Sequence, residues 1–257
     1  MLHDCVAEII PIEPDADNAA AGIASDIHTY YIRYDVMLGA VSIPYFLLVV
    51  RPTDAPPDKK KTKSMRYICA LTIAGSDSCG GAGVQADIKT MSALGVYAAS
   101  AITSVTVQNT LGVQAIQAIQ PEIVAGQIRA VMDDIKPTAI KVGMVNDKAT
   151  ILAIADTLQQ YSPQKLVVDP VMVSTSGSML MQKDALGTFC SRLLPMATLL
   201  TPNIPEAEVL SNRSIRSIDD MDAAGRSILA LGCKAVLIKG GHLEGRKVDK
   251  LYLPNDE

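Results

Sequence analysis

Tryptophan is absent from the 257 residues, and phenylalanine occurs only twice. Tyrosine supplies the other eight aromatics, and Tyr30, Tyr31, Tyr34, Tyr45 and Phe46 all fall in the first 66 residues. Half of a small aromatic set therefore sits in a quarter of the chain, and the composition is not uniform. Charged residues make up only 19% of the chain, with a formal net charge of −4. That balance lacks the basic face of a dedicated nucleic-acid binder. No apolar run reaches the ~20 residues that span a bilayer. An uncharged apolar stretch, 36–50, lies between Asp35 and Arg51, holds Gly39 and Pro44, and is expected to be a buried apolar segment. The five cysteines, Cys5, Cys69, Cys79, Cys190 and Cys233, form no C-x-x-C pair. His3, His28 and His242 are too scattered to build a zinc site with them. An odd count in a chain this long points to reduced thiols in a cytoplasmic protein. Asp4, Glu8, Glu13, Asp15 and Asp17 occupy the place where a signal peptide would carry basic residues.

What the chain does have is apolar content, at 49%. Its length suffices to bury a core without disulfides or a structural metal, and allows one large domain or two smaller ones. Pro52, Pro56 and Pro57, followed by Lys59, Lys60, Lys61 and Lys63, mark a solvated linker near 52–65. Beyond it the pattern predicts strands over 67–74, 98–107, 112–119, 139–142, 165–168, 198–200 and 235–238. Helices are predicted over 84–94, stopping at Gly95, then over 121–135 with Pro121 at its start, and over 147–160, 183–194 and 218–231. Short apolar strands alternating with amphipathic helices give βαβ units, hence an α/β fold with a mostly parallel sheet covered on both faces.

Ligands of open α/β sheets bind beyond the carboxyl ends of the strands. Those ends carry Gly75–Gly83, Gln108-Asn109-Thr110, Gly143-Met144, Asp169-Pro170-Val171-Met172, Thr201–Glu206 and Lys239–His242. Six polar or glycine-bearing ends in succession make a site. Gly81-x-Gly83-x-x-Ala86 matches a relaxed dinucleotide fingerprint, but no acid stands between Asp87 and Glu122 to hold a ribose. A Walker A sequence is absent as well. The glycines still let a small ligand approach backbone N–H groups at a helix N-terminus, and Cys79 is a candidate to line that site. Asn203 and Glu206, three apart at a helix start, share nearly one face. They suit water around a phosphate-bearing Mg²⁺. They equally suit a cap in which Asn203 and Glu206 satisfy each other's backbone N–H groups. Lys239, before two glycines, suits a phosphate.

Taken together, residues 70–87, 107–110 (Val-Gln-Asn-Thr), 141–144 (Lys-Val-Gly-Met), 168–171 (Val-Asp-Pro-Val), 201–207 (Thr-Pro-Asn-Ile-Pro-Glu-Ala) and 239–242 (Lys-Gly-Gly-His) resemble a known family. It is the hydroxymethylpyrimidine/phosphomethylpyrimidine kinase family of thiamine biosynthesis, within the ribokinase-like superfamily. The resemblance implies a ribokinase-like α/β domain over 67–257, with ATP and Mg²⁺ as cosubstrates. It implies phosphorylation of 4-amino-5-hydroxymethyl-2-methylpyrimidine, then of its monophosphate. By motif position, Gly75, Ala82, Asp87, Gln108, Met144 and Val171 would line the pyrimidine pocket, with the Gln108 amide pairing to the aminopyrimidine edge. Asn203 and Glu206 would handle Mg²⁺ and phosphate, Asp169 would stand near the metal, and Lys239 would lie on the nucleotide side. Family members are often dimers, so a homodimer is an expectation by analogy.

Two departures go with the resemblance. The family continues into a Gly-Thr-Gly-Cys segment that holds the anion hole and the usual base position. This chain ends at Glu257 before any such segment, so an incomplete kinase domain is expected and no catalytic residue is assigned. Residues 1–66 have no counterpart in the family pattern, and Met65 directly precedes the matching region. An N-terminal extension and linker, or a start-site artefact over 1–64, is expected. A pyridoxal-type kinase and a catalytically silent pyrimidine binder stand as alternatives, and a dinucleotide oxidoreductase is weakened by the missing acid.

Overall fold

In the computed structural model the structure describes residues 68–172, 180–182, 184–242 and 247–254, and the backbone of three strands before them. The chain divides into two compact units, Met1–Arg66 and Tyr67–Glu257. Most of the linker expected over 52–65, together with Met65 and Cys5, lies outside the described residues.

The first unit holds β1 (Val6–Pro11), β2 (Ile27–Leu38) and β3 (Val41–Pro52) in one antiparallel sheet of that order. Strand β2 pairs with β3 along its whole length, from Ile27 opposite Pro52 to Leu38 opposite Val41. The uncharged run over 36–50 is therefore not one segment. Val36 faces Ile43 and Met37 faces Ser42 across the pair. Only Gly39 and Ala40 separate the two strands, the spacing that favours a hairpin.

The second unit is built on an eight-stranded sheet. Its strands are β4 (Cys69–Asp77), β5 (Tyr97–Asn109), β6 (Gly112–Ala118), β7 (Ala139–Val142), β8 (Leu166–Val168), β9 (Leu199–Leu200), β10 (Val236–Ile238) and β11 (Lys250–Tyr252). Their order is β11-β10-β9-β8-β7-β4-β5-β6. Neighbours from β10 to β5 are parallel, and only the edge strands β6 and β11 run antiparallel. Leu71, Thr72 and Ile73 are all fully buried. Successive side chains point to opposite faces, so both faces of β4 are covered.

The helices are α1 (Gly83–Ala93), α2 (Pro121–Asp134), α3 (Lys148–Tyr161), α4 (Leu186–Thr188), α5 (Ile204–Ser211) and α6 (Ile218–Leu229). Pro121 occupies the first turn of α2, where a missing N–H costs nothing. One predicted helix changes type along its length. Within the span 183–194, α4 passes into a π-turn at Phe189–Leu193 and then a 3₁₀ turn at Leu194–Met196. Gly187 lowers the local propensity, the Ser191 hydroxyl donates back to its carbonyl at 2.8 Å, and Pro195 removes a donor. Among the strands of the second unit, β11 is the one the pattern did not predict.

Strand β4 is followed in sequence by its neighbour β5 on one side, while β7 joins it on the other. The direction of winding reverses at β4, which opens a crevice at the carboxyl ends of β4 and β7. Every strand end named above borders that side of the sheet.

Candidate active site

The loop after β4 is organised by Asp77, which is 3% exposed. Its Oδ1 accepts the Cys79 N–H at 2.9 Å, and its Oδ2 accepts those of Gly81 and Ala82 at 3.0 and 2.8 Å. These amides, expected to be open to a ligand, are already bonded to a carboxylate of the chain itself. Gly83, at φ +56°, starts α1 in the left-handed region, and a Cβ there would run into the Gly75 carbonyl oxygen. Cys79 is exposed, and its thiol lies 3.2 Å from Asp77 Oδ2. Desolvation and that neighbouring carboxylate raise the thiol, so the loop holds no activated thiolate. Cys69, Cys190 and Cys233 are free thiols too.

On the pocket side, Gly75 and Met144 meet directly. A Cβ on Gly75 would lie 2.5 Å from Met144 Cε and 2.9 Å from Ser104 Oγ. The Met144 carbonyl accepts from the Thr103 hydroxyl at 2.8 Å, which fixes the residue after β7 against β5. Gln108 stands at the end of β5. The Ser78 hydroxyl donates to its carbonyl at 2.7 Å and accepts its N–H at 3.0 Å, tying the glycine loop to that strand end. Its side-chain Oε1 lies 3.2 Å from the Thr106 hydroxyl. Ala82 is the residue that precedes α1. Half-buried Val171 follows β8, its N–H donating to the Asp169 carbonyl at 2.8 Å.

Asp87 does not present a free carboxylate. Its Oδ2 accepts the Thr72 hydroxyl at 2.5 Å, and Lys141 Nζ lies 3.0 and 2.8 Å from its two oxygens. Only 14% of the side chain is exposed. The carboxylate anchors α1 to β4 and β7 through these contacts.

The charged side of the crevice gathers Asp169, Glu206 and Lys239. Lys239 Nζ donates to Asp169 Oδ1 at 3.0 Å, and Thr201 Oγ1 lies 3.2 Å from the same oxygen. Burial works against the Asp169 charge, yet Lys239 and then Lys141 outweigh it and hold the carboxyl below its usual range. Asn203 and Glu206 form a reciprocal cap on α5. Asn203 Oδ1 accepts the Glu206 N–H at 2.9 Å, and Glu206 Oε2 accepts the Asn203 N–H at 2.8 Å. The capping alternative is thus realised, and the cap also fixes the Glu206 carboxyl beside Asp169 and Lys239. Burial, and then the negative charge of Asp169, push that carboxyl up to about 7.

Sequence reasoning missed Asp77, Lys141 and Ser104. Asp77 had a signal, because an Asp two residues before a turn N–H makes an Asx-turn. Lys141 had none, since it stands inside a short strand and reads as its polar edge. Among the described residues no group of three or more His, Cys, Asp or Glu could hold a metal. No helix among them is long and apolar enough to cross a membrane.

A family model described as phosphomethylpyrimidine kinase matches residues 77–257. The hydroxymethylpyrimidine/phosphomethylpyrimidine kinase of Rhizobium meliloti (strain 1021) is 48% identical over 188 residues, 73% of this chain and 70% of that protein. The crystal structure of a phosphomethylpyrimidine kinase from Clostridium difficile 630 is 50% identical, with a TM-score of 0.70 over 74% of this chain and 82% of that one. A pyridoxal kinase from Staphylococcus aureus in complex with AMP-PCP and pyridoxal is 33% identical, with a TM-score of 0.66 over 74% of this chain and 69% of that one.

Proposed function

The chain belongs to the phosphomethylpyrimidine kinase family, and from that premise we propose that it moves the terminal phosphoryl of ATP onto the hydroxymethyl oxygen of 4-amino-5-hydroxymethyl-2-methylpyrimidine, and then phosphorylates the monophosphate. The observation that carries this reading is the division of one crevice into two chemically distinct halves. Gly75 and Met144 meet after β4 and β7, and with Gln108 and Val171 from the neighbouring strand ends they would give a weakly polar half, suited to a flat aminopyrimidine. Asp169, Glu206 and Lys239 form a charged half, suited to phosphates.

In this reading the chain's own groups position reactants and balance charge, which is most of what phosphoryl transfer asks of a protein. The Gln108 amide orients the pyrimidine by its amino edge, and the Asp77-organised loop closes the pocket over Ala82. Lys239 meets the phosphates with a charge held in place by Asp169. Mg²⁺ fits this donor set, because that ion takes one or two carboxylates and fills its remaining positions with phosphate oxygens and water. Asp169 and Glu206 would hold it, with Asn203 fixing the Glu206 carboxyl through the cap. When bound, it would supply charge neutralisation to the phosphates. Among the described residues we assign none as the base for the hydroxymethyl proton. The proposed partners are the small pyrimidine and ATP, with neither nucleic acid nor membrane, and a second copy of the chain is proposed only by family analogy. The proposed setting is the cytoplasm, where thiols such as Cys69 and Cys233 stay reduced.

A coupled assay for ADP release, run with the pyrimidine alcohol, with pyridoxal and with no acceptor, tests the proposal. Turnover with the pyrimidine above the other two is the expected result. Preference for pyridoxal would overturn it in favour of the second reading, which the 33% identity to a pyridoxal kinase supports. Calorimetry distinguishes a silent binder, which takes up the pyrimidine without turnover.

A further inference from the structure

Lys141 stands opposite Thr72 in the parallel ladder of β7 and β4, so both side chains leave the sheet on one face. Asp87 of α1 meets both of them there, and a single carboxylate joins one helix to two strands. The ion pair is well shielded, with 15% of the Lys141 side chain and 14% of the Asp87 side chain exposed. Room for the ammonium comes from Gly143, where a Cβ would lie 2.9 Å from Lys141 Nζ and 3.2 Å from Ala74 Cβ. Burial disfavours the ammonium, but Asp87 and then Asp169 outweigh it and hold the lysine charged. Asp169 has its own closer partner in Lys239, which leaves Lys141 to Asp87.

The elements this clamp holds are those that shape the pocket. Helix α1 begins where the glycine loop ends, and Gly143 leads directly into Met144. We propose that Lys141 is a positioning residue of the pyrimidine pocket: by gripping both oxygens of Asp87 it fixes the start of α1, and with it the loop over 75–83, against β4 and β7. The pocket is then formed before the acceptor arrives, and a preformed site avoids the ordering cost of binding. This rests on the function proposed above, which assigns that loop to the pyrimidine.

The test uses the full chain and variants Lys141→Gln and Lys141→Arg, titrated by calorimetry with the pyrimidine alcohol and, separately, with a non-hydrolysable ATP analogue. Urea unfolding is recorded for each. Lys141→Gln is expected to weaken pyrimidine binding on the order of tenfold, with the analogue changed less than about threefold. Lys141→Arg, which keeps a charge able to bridge both oxygens, is expected to recover most of the loss. Equal weakening of both ligands, or unchanged pyrimidine binding in a folded variant, overturns the clamp. Should Lys141→Gln fail to fold, Gly143→Ala, which crowds the ammonium, is expected to give the same split. A wild-type chain that binds the analogue and no pyrimidine overturns the proposed function and the clamp with it. Pyrimidine binding by the wild type without the split overturns the clamp alone.

Discussion

Lys239, at the end of β10, reaches past β9 to donate to Asp169 Oδ1 beyond the end of β8, at 3.0 Å. One ammonium thereby joins two strand ends that are not neighbours in the sheet. It also lies close enough to Glu206 to pull that carboxyl down against the push of burial and Asp169. Replacing it leaves the two acids with only Lys141, itself paired to Asp87, as counter-charge. We expect Lys239→Met to raise the KM for ATP by about tenfold to a hundredfold, the loss of one or two charge-assisted contacts. Pyrimidine affinity by calorimetry should stay within about twofold. A loss shared equally by both ligands would show that Lys239 acts through the fold.

The position of Glu206 gives stability a pH dependence whose sign is unusual for a carboxylate. Its pKa is raised from 4.5 to about 7 in the folded chain. Below 4.5 both states carry the proton, and no penalty exists. As pH rises from there to about 7, the unfolded chain ionises while the folded one keeps its proton, so stability falls across that window and levels off above it. The full effect is on the order of 3 kcal/mol. Asp169, whose carboxyl is lowered, acts in the opposite direction, and its contribution is lost only in more acidic solution. Urea unfolding in chelator between pH 4.5 and 7.5 checks this. Glu206→Gln, which keeps an acceptor for the Asn203 N–H, should lose that part of the slope, and an unchanged slope would refute the assignment.

Both outcomes depend on residues that stood out in the sequence, and the reason they did is physical. Asp169, Asn203, Glu206 and Lys239 follow short apolar strands, and a polar residue after a strand of a parallel sheet has little to do but face the crevice. The parallel strands were visible for the same reason, since burial on both faces leaves a continuous apolar run. What was not visible depended on three-dimensional partners. Lys141 sits within the strand itself, and only its register with Thr72 and the arrival of α1 give it a role. Asp87 was placed by motif position alone, and its grip on Thr72 and Lys141 depends on the same three-dimensional partners. Over 183–194 the apolar spacing was helical, yet Gly187, Ser191 and Pro195 broke the hydrogen-bond pattern it implied. Strand β11 is as short as β8 and β10 but antiparallel at the sheet edge and begins at Lys250, so it lacks the continuous apolar run by which they were read.

Asp77 offers a test of how the glycine loop is held. Three loop N–H groups end on its carboxylate, two of them immediately before α1. Removing the acceptor strands donors that the fold has turned inward, and hydrogen bonds to a charged group are worth about 1.5–3 kcal/mol each before coupling among them is counted. Asp77→Ala is expected to destabilise the chain by about 2–4 kcal/mol in urea unfolding and to abolish pyrimidine binding. Asp77→Asn keeps one acceptor oxygen and should cost roughly half as much. A silent Asp77→Ala would mean that the loop is held by its glycines and by Ser78 alone.

Ser104 is the opposite case, a polar group the fold does not satisfy. It is fully buried on β5, and its hydroxyl has no hydrogen-bond partner although it sits against Gly75. A buried hydroxyl without a partner costs about 1–3 kcal/mol relative to water, whereas a methyl group in the same place costs nothing of the kind. The cavity left by Ser104→Ala is one oxygen in volume, too small to offset that gain. Ser104→Ala should therefore raise stability by about 1 kcal/mol, read as a higher urea midpoint at unchanged slope. A fall in stability would show that the hydroxyl is bonded in solution.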